Sequence, residues 1–284
     1  MARPQLEPVT ADTLPEFAQF LHDHLDSGRS PAEWAQAFAG NGWPGELPNH
    51  GFVVRDQGRI VGGIGALYAE RLIDGQPAKT CNITSWCVLD GYRQQSMRLA
   101  MAVVSQQGWH FSDFSPTKVV AGTLQFLKFK PLDDRQVVAL NLPWPAIGGL
   151  RIITSPQQIE QALNGSARAD WQQHLRYPWL HHVLVGQPGA WCHVIYKRRV
   201  FKGLPTATVL HASDRTQLRA GWRRLAGHLL AQGFVCSQVE YRLLQATPWP
   251  SAVRTGFNPK LYLSRGLRDE QVDYLYSETM ALDL

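Results

Sequence analysis

Residues 88–99 (VLDGYRQQSMRL) join a β-rich run to a helical one through a short polar turn. A strand that hands over to a helix leaves the first N–H groups of that helix without carbonyl partners and aims them at one spot, which suits a phosphate. The candidate phosphate-holding groups are the backbone at Val88, Leu89, Gln94, Gln95, Ser96 and Met97 and the guanidiniums of Arg93 and Arg98. Each charge-assisted hydrogen bond from arginine to phosphate contributes roughly 1.5–3 kcal/mol. An ordinary strand-to-helix connection with solvated arginines uses the same residue types, so the flanking elements matter.

Those elements have the required periods. Residues 79–89 alternate, with Asn82, Thr84, Trp86 and Val88 on one face and Cys81, Ile83, Ser85, Cys87 and Leu89 on the other. From Ser96 onward Met97, Ala100, Met101 and Val104 recur at helical spacing until Gly108 stops the run. Upstream, 51–55 and 60–68 read as a hairpin around the turn 56–59, with a second turn at Asp74 and Gly75. Downstream, 109–114 reads as a strand and 117–126 as a helix, and near the start 14–22 and 31–38 read as two short amphipathic helices.

Three antiparallel strands feeding a strand–helix–strand–helix unit, with Tyr92-Arg93-Gln94-Gln95-Ser96-Met97-Arg98 at the turn, resemble the GNAT superfamily of acyl-CoA-dependent N-acyltransferases. The family signature is Arg/Gln-x-x-Gly-x-Gly/Ala opening a helix. Here Ser96 and Arg98 stand where the two small residues are usual, and Arg98 must either swing away or pair with the diphosphate itself. Residues 128–133 (KFKPLD) are similar to the Leu-Gly-Phe that closes the second helix in relatives, with Lys128 in place of the glycine. Leu124 stands where many relatives carry a tyrosine that protonates the leaving thiolate.

The resemblance implies direct transfer from acetyl-CoA or another acyl-CoA, bound as substrate, to an amine or hydroxyl. The thioester oxygen would be polarised by a backbone N–H near Cys87 or Val88, with no need for Cys87 as a nucleophile. Asp90, Glu70 and His50 are the candidate bases, Asn82 and Ser85 the positioning groups, and Ser115 either a substitute acid or a helix cap. Trp43 and Trp86 would stack on a sugar or line an acyl tunnel, or else simply pack. The implied acceptor is a sugar amine or small metabolite. A non-catalytic GNAT-like module and an aminoacyl-tRNA-dependent transferase, which also pairs two such halves, are the alternatives.

The chain of 284 residues exceeds one such domain. The expected division is a GNAT-like domain over 1–142, a Pro- and Gly-rich linker over 143–150 and a second GNAT-like domain over 151–284, giving an α+β fold with two mostly antiparallel sheets flanked by helices. In the second half, 191–197 and 206–211 read as strands around the turn 202–205, 215–231 as a helix, 235–241 as a strand, 248–254 as a short helix, and 260–263 and 272–281 as late strands. Its equivalent turn, 211–216, lacks the family motif, and Asp214 would repel phosphate. That domain is expected to have lost the cofactor site and to shape the acceptor pocket or a homodimer interface.

Composition fits a soluble cytoplasmic protein, with 44 % hydrophobic and 18 % charged residues, no secretion signal and no membrane span. The net charge of +5 and pI near 9.1 arise from scattered residues without a nucleic-acid-reading motif, and they suit attraction of a polyanion such as CoA. The four cysteines show no Cys-x-x-Cys spacing and are expected as reduced thiols. No metal site is expected, because no His-x-x-x-His or zinc-spaced Cys occurs, and hydrolase and kinase motifs are missing.

Overall fold

The computed structural model describes residues 3–25, 27–145 and 148–283, which form two compact units. The first runs to Leu132 and regains Pro259–Gln271 and the chain from Tyr276 onward, and the second holds Asp133–Asn258 and Val272–Leu275.

In the first unit β1 (Gln5–Pro8) precedes two helices, α1 (Leu14–His24) and α2 (Pro31–Ala39). Ser30 starts α2 with a full capping box, its hydroxyl accepting from Glu33 N–H while the Glu33 carboxylate accepts from Ser30 N–H. The strands β2 (Gly51–Asp56), β3 (Arg59–Ile73) and β4 (Gln76–Val88) form an antiparallel meander joined by tight turns. Glycine is required in β3 because the helices lie so close. A Cβ at Gly63 would meet the Phe17 ring at 2.4 Å, and one at Gly65 the Phe38 ring at 2.5 Å. A 3-10 turn (Asp90–Gln95) leads into α3 (Ser96–Val104), then β5 (Trp109–Asp113), α4 (Lys118–Phe126), capped by Thr117, and β6 (Lys130–Pro131). Ile64, Ile83, Leu99, Val103 and Leu124 fill the core between sheet and helices.

The second unit begins with β7 (Gln136–Leu140) and continues through β8 (Arg151–Ile153), α5 (Pro156–Ala162), α6 (Gly165–His174), β9 (His181–Gln187), β10 (Ala190–Phe201), β11 (Leu204–Ala212) and α7 (Arg215–Ala231). β12 (Cys236–Glu240), α8 (Tyr241–Leu244) and β13 (Ser251–Arg254) complete it. The chain then returns to the first unit with β14 (Leu261–Leu263) and α9 (Glu278–Ala281).

The two sheets share one plan. The first has the order β1-β2-β3-β4-β5-β14-β6, with β4 and β5 parallel, and the second β8-β9-β10-β11-β12-β7-β13, with β11 and β12 parallel. In each, the antiparallel neighbour of the fifth strand comes from the other half of the chain. The mixed α+β class with two sheets is as expected, but the division differs from 1–142/143–150/151–284. Residues 136–140 pair with β12 and β13 rather than with the first sheet, and 261–263 pair with β5 and β6. Ala146 and Ile147 of the expected linker lie outside the described residues. The expected helix at 248–254 is instead β13, and 272–281 contains the helix α9 rather than a strand. Among the described residues no helix is long and apolar enough to cross a membrane.

Candidate functional site

β4 and β5 are hydrogen-bonded through only four rungs, from Lys79↔Trp109 to Asn82↔Ser112. Beyond the last rung β4 continues to Val88 while β5 ends at Asp113. On its other side β4 pairs with β3, where Gly63 faces Cys87 but Gly65 faces Thr84, so β4 carries an extra residue. Ser85 absorbs it with a left-handed φ of +52°. A bulge bends its strand and sharpens the twist, which turns β4 away from β5 where their ladder stops. Among the described residues no strand pairs with that edge of 83–88. An extended amide-bearing chain laid in the gap would complete the sheet by strand addition.

The freed strand feeds the turn. Leu89 N–H is spent on Val61 C=O at 3.0 Å and Tyr92 N–H on Leu89 C=O at 2.8 Å. Ser96 N–H bonds Arg93 C=O, and Gln95, the residue before α3, provides no side-chain cap. The 3-10 turn thus runs straight into α3, whose start has no side-chain cap. Leu99 and Val103, both fully buried, anchor α3 in the core.

The arginines behave differently. Arg93 is exposed and held by Asp90 at 2.7 Å. An exposed pair of this kind contributes about 0–1 kcal/mol, so Asp90 holds Arg93 only weakly. Arg98 swings aside: its Nη1 donates to Pro4 C=O at 3.1 Å and to Gln95 Oε1 at 2.8 Å. Gln94 donates to Gly91 C=O at 3.3 Å.

Several expected catalytic groups are engaged elsewhere. Glu70 is bound to Lys79 at 3.0 Å, and that lysine holds its carboxyl below the usual range. The pair sits at the first rung of the β4–β5 ladder, short of the gap. Asp90 is exposed and paired at the turn, beyond the end of β4. Burial pushes the Cys87 thiol up, which keeps it protonated, and its Sγ lies 3.8 Å from His24 C=O. His50 is buried just before β2, its C=O accepting from Ala66 N–H at 3.1 Å, and burial lowers its pKa, so it is a neutral imidazole. Trp43 meets Tyr276 edge-on at 5.4 Å, and Trp86 packs half-buried against the first core.

Asn82 and Ser115 do come together, around a residue the sequence did not point to. Asn82 donates to Ser112 at 3.3 Å and accepts Glu278 N–H at 2.7 Å. The Glu278 carboxylate accepts from Ser115 Oγ–H and Phe114 N–H, both at 3.0 Å, while Ser115 N–H donates to Asp113 at 3.1 Å. Burial first, then the charge of Glu278, pushes the Asp113 carboxyl well above its ordinary value, and burial raises Glu278. The group stands where β4 and β5 part. Nothing local marks Glu278, yet it is a lone acid in the otherwise uncharged run 274–281.

A wide set of solved structures shares the fold of this chain. A GCN5-related N-acetyltransferase from Anabaena variabilis matches with a TM-score of 0.61 at 12 % identity, over 92 % of this chain and 72 % of that one. The chain has the GCN5-related N-acetyltransferase fold. A GCN5-related N-acetyltransferase from Kribbella flavida matches with a TM-score of 0.57 at 13 % identity, over 92 % of this chain and 70 % of its own. Eis1 from Mycobacterium abscessus matches with a TM-score of 0.52 at 14 % identity, over 92 % and 73 %. At such identities the likeness is one of fold. No protein-family model and no curated protein matches the sequence. Within the acetyltransferase fold of the second unit, Asp214 caps α7 by accepting from Thr216 and Gln217 N–H at 2.8 and 2.9 Å. The amides a diphosphate would need there are taken by that carboxylate.

Proposed function

We propose that the first unit transfers an acyl group, acetyl being the simplest, from acyl-CoA to an amine of a small molecule or sugar by direct attack on the thioester. The observation that carries this reading is the parting of β4 from β5 beyond Asn82, next to the Ser85 bulge, on a strand that leads through the 3-10 turn into a helix without a side-chain cap. The open edge of 83–88 offers backbone groups to the amides of the pantetheine arm. Arg93 and the Met97 and Arg98 amides face the diphosphate, and an N–H near Cys87 or Val88 polarises the thioester oxygen. Holding both substrates at the gap supplies much of the acceleration. Ser115, with Asn82 and Glu278 behind it, replaces Asp90 and Glu70 as the proton-handling group. A hydroxyl acceptor fits the same scheme.

Arg98 bound to Pro4 and Asp90 beside Arg93 favour a second reading, a module that holds acyl-CoA without turning it over. Calorimetric titration with acetyl-CoA and longer acyl-CoAs, followed by transfer assays on a panel of amines and amino sugars, separates the two. Acetyl-CoA is expected to bind, and Arg93→Glu to weaken it at least tenfold, about 1.4 kcal/mol, by setting like charge against phosphate. An unchanged Kd in that variant removes the assigned site. Binding without transfer to any acceptor supports the second reading.

A further inference from the structure

Asp113 and Glu278 are 4 % and 0 % exposed, and the charge acting on Asp113 is the like charge of Glu278. Their hydrogen bonds run to the amides of consecutive residues, Ser115 and Phe114, whose Cα atoms are about 3.8 Å apart, so the two carboxyls share one small compartment. Two carboxyls confined in this way, with like charge acting between them, do not both ionise near neutrality.

The hydrogen bonding leaves one acceptor over. Glu278 Oε1 accepts twice, whereas Oε2 is buried with no partner. Buried polar atoms are normally satisfied, and an orphaned carboxyl oxygen is where an arriving proton or its donor would lodge. Ser115 is the exposed member of the group, so its hydroxyl connects the buried pair to the outside.

We propose that Ser115, Glu278 and Asp113 form a proton relay, in which the two carboxyls share a single proton and exchange protons with the reacting groups through the serine hydroxyl. The catalytic part of this proposal rests on the acyl-transfer reading above. In each turnover the acceptor nitrogen bonds to the thioester carbon, the C–S bond breaks, and sulfur leaves with the bonding pair. The proton shed by nitrogen passes to Ser115 Oγ as the hydroxyl proton moves to Glu278. The pair then holds two protons, and one returns by the same hydroxyl to the thiolate, which restores the resting state. Ser115 is the catalytic residue, and Glu278 and Asp113 act through it. The relay accounts for the lack of an acid at Leu124, which is fully buried in the core.

The test uses the full chain without substrate, titrated from about pH 4 to about pH 9 and followed by the infrared bands of its carboxyl groups. The unaltered protein should lose buried carboxylic-acid signal in two separated steps, and Asp113→Asn and Glu278→Gln should each leave a single step lying between them. Two carboxyls that titrate independently, each unmoved by loss of the other, overturn the shared proton. Should one variant fail to fold, the other still decides, because removing either member of a pair that shares a proton moves the step of the one that remains. In the transfer assay Ser115→Ala should lower kcat at least tenfold with KM nearly unchanged, and Glu278→Gln should flatten the acidic limb of the pH profile. Full kcat in Ser115→Ala overturns the relay. Absence of transfer in the unaltered protein counts against the acyl-transfer reading and the catalytic role of the relay, while the titration still decides whether the pair shares a proton.

Discussion

Acidification should destabilise the second unit through two buried histidines. His193 on β10 is fully buried, its Nε2 lies 3.1 Å from His182 Nδ1 on β9, and the two rings stack at 5.3 Å. The other nitrogen of His193, Nδ1, is buried without a hydrogen-bond partner. Burial, reinforced by neighbouring imidazoles, lowers His182 from 6.5 to about 4 and holds His193 well below 6.5. Both folded values are depressed, so the unfolded chain takes up protons that the folded unit refuses. The associated stability is present above about pH 6.5 and is lost as pH falls toward the folded values. Between about pH 7.5 and about pH 5 each histidine costs about 2 kcal/mol, so the pair costs about 4 kcal/mol. Hydrogen exchange at the Val183, Val194 and Val209 amides, corrected for the intrinsic rate, reports this directly. His193→Gln, which cannot take up the proton, should halve the loss. Equal protection of these amides at both pH values would refute the argument.

Two further outcomes follow from packing. Leu99 is fully buried and anchors α3 beneath the turn, so Leu99→Ala should cost about 3 kcal/mol in denaturant unfolding of the first unit and weaken acyl-CoA binding, and a loss below about 1 kcal/mol contradicts the assigned packing. In the second unit Arg242 and Glu240 form a buried pair at 2.6 Å, with Tyr274 donating to the same carboxylate at 2.5 Å. Arg242→Met should destabilise by about 3–5 kcal/mol, and the additional change Glu240→Leu should recover part of that, measured as a double-mutant cycle.

The local half of the site is written in the residue pattern. Alternation over 79–89 foretells β4, the change of period at Ser96 foretells α3, and Thr117 caps the helix expected just after it. Each signal is carried by neighbours in the chain. What escaped the pattern depends on partners far away. The Val-Val-Ala-Leu run of β7 is apolar enough for either sheet, and only its pairing with Cys236–Glu240 assigns it. Glu278 meets Phe114 across a separation of 164 residues, so no window of sequence shows the two together. The bulge at Ser85 was also hidden, because serine has no strong preference for a left-handed backbone, and only the register against Gly63 and Gly65 demands one. Glu70 and Asp90 are acids near the right strand, but Lys79 and Arg93 hold them.

The return of β14 to the side of β5 also sets the order in which the protein can be made. A ribosome delivers β1 to β6 first, but the edge of β5 stays bare until residue 263 has emerged, and the carboxyl pair lacks a member until residue 278 has followed. Throughout synthesis of the second unit that bare edge is a template for mispairing with other nascent chains. A protease cut between the halves would therefore not release a competent N-terminal fragment, however well its own strands had paired.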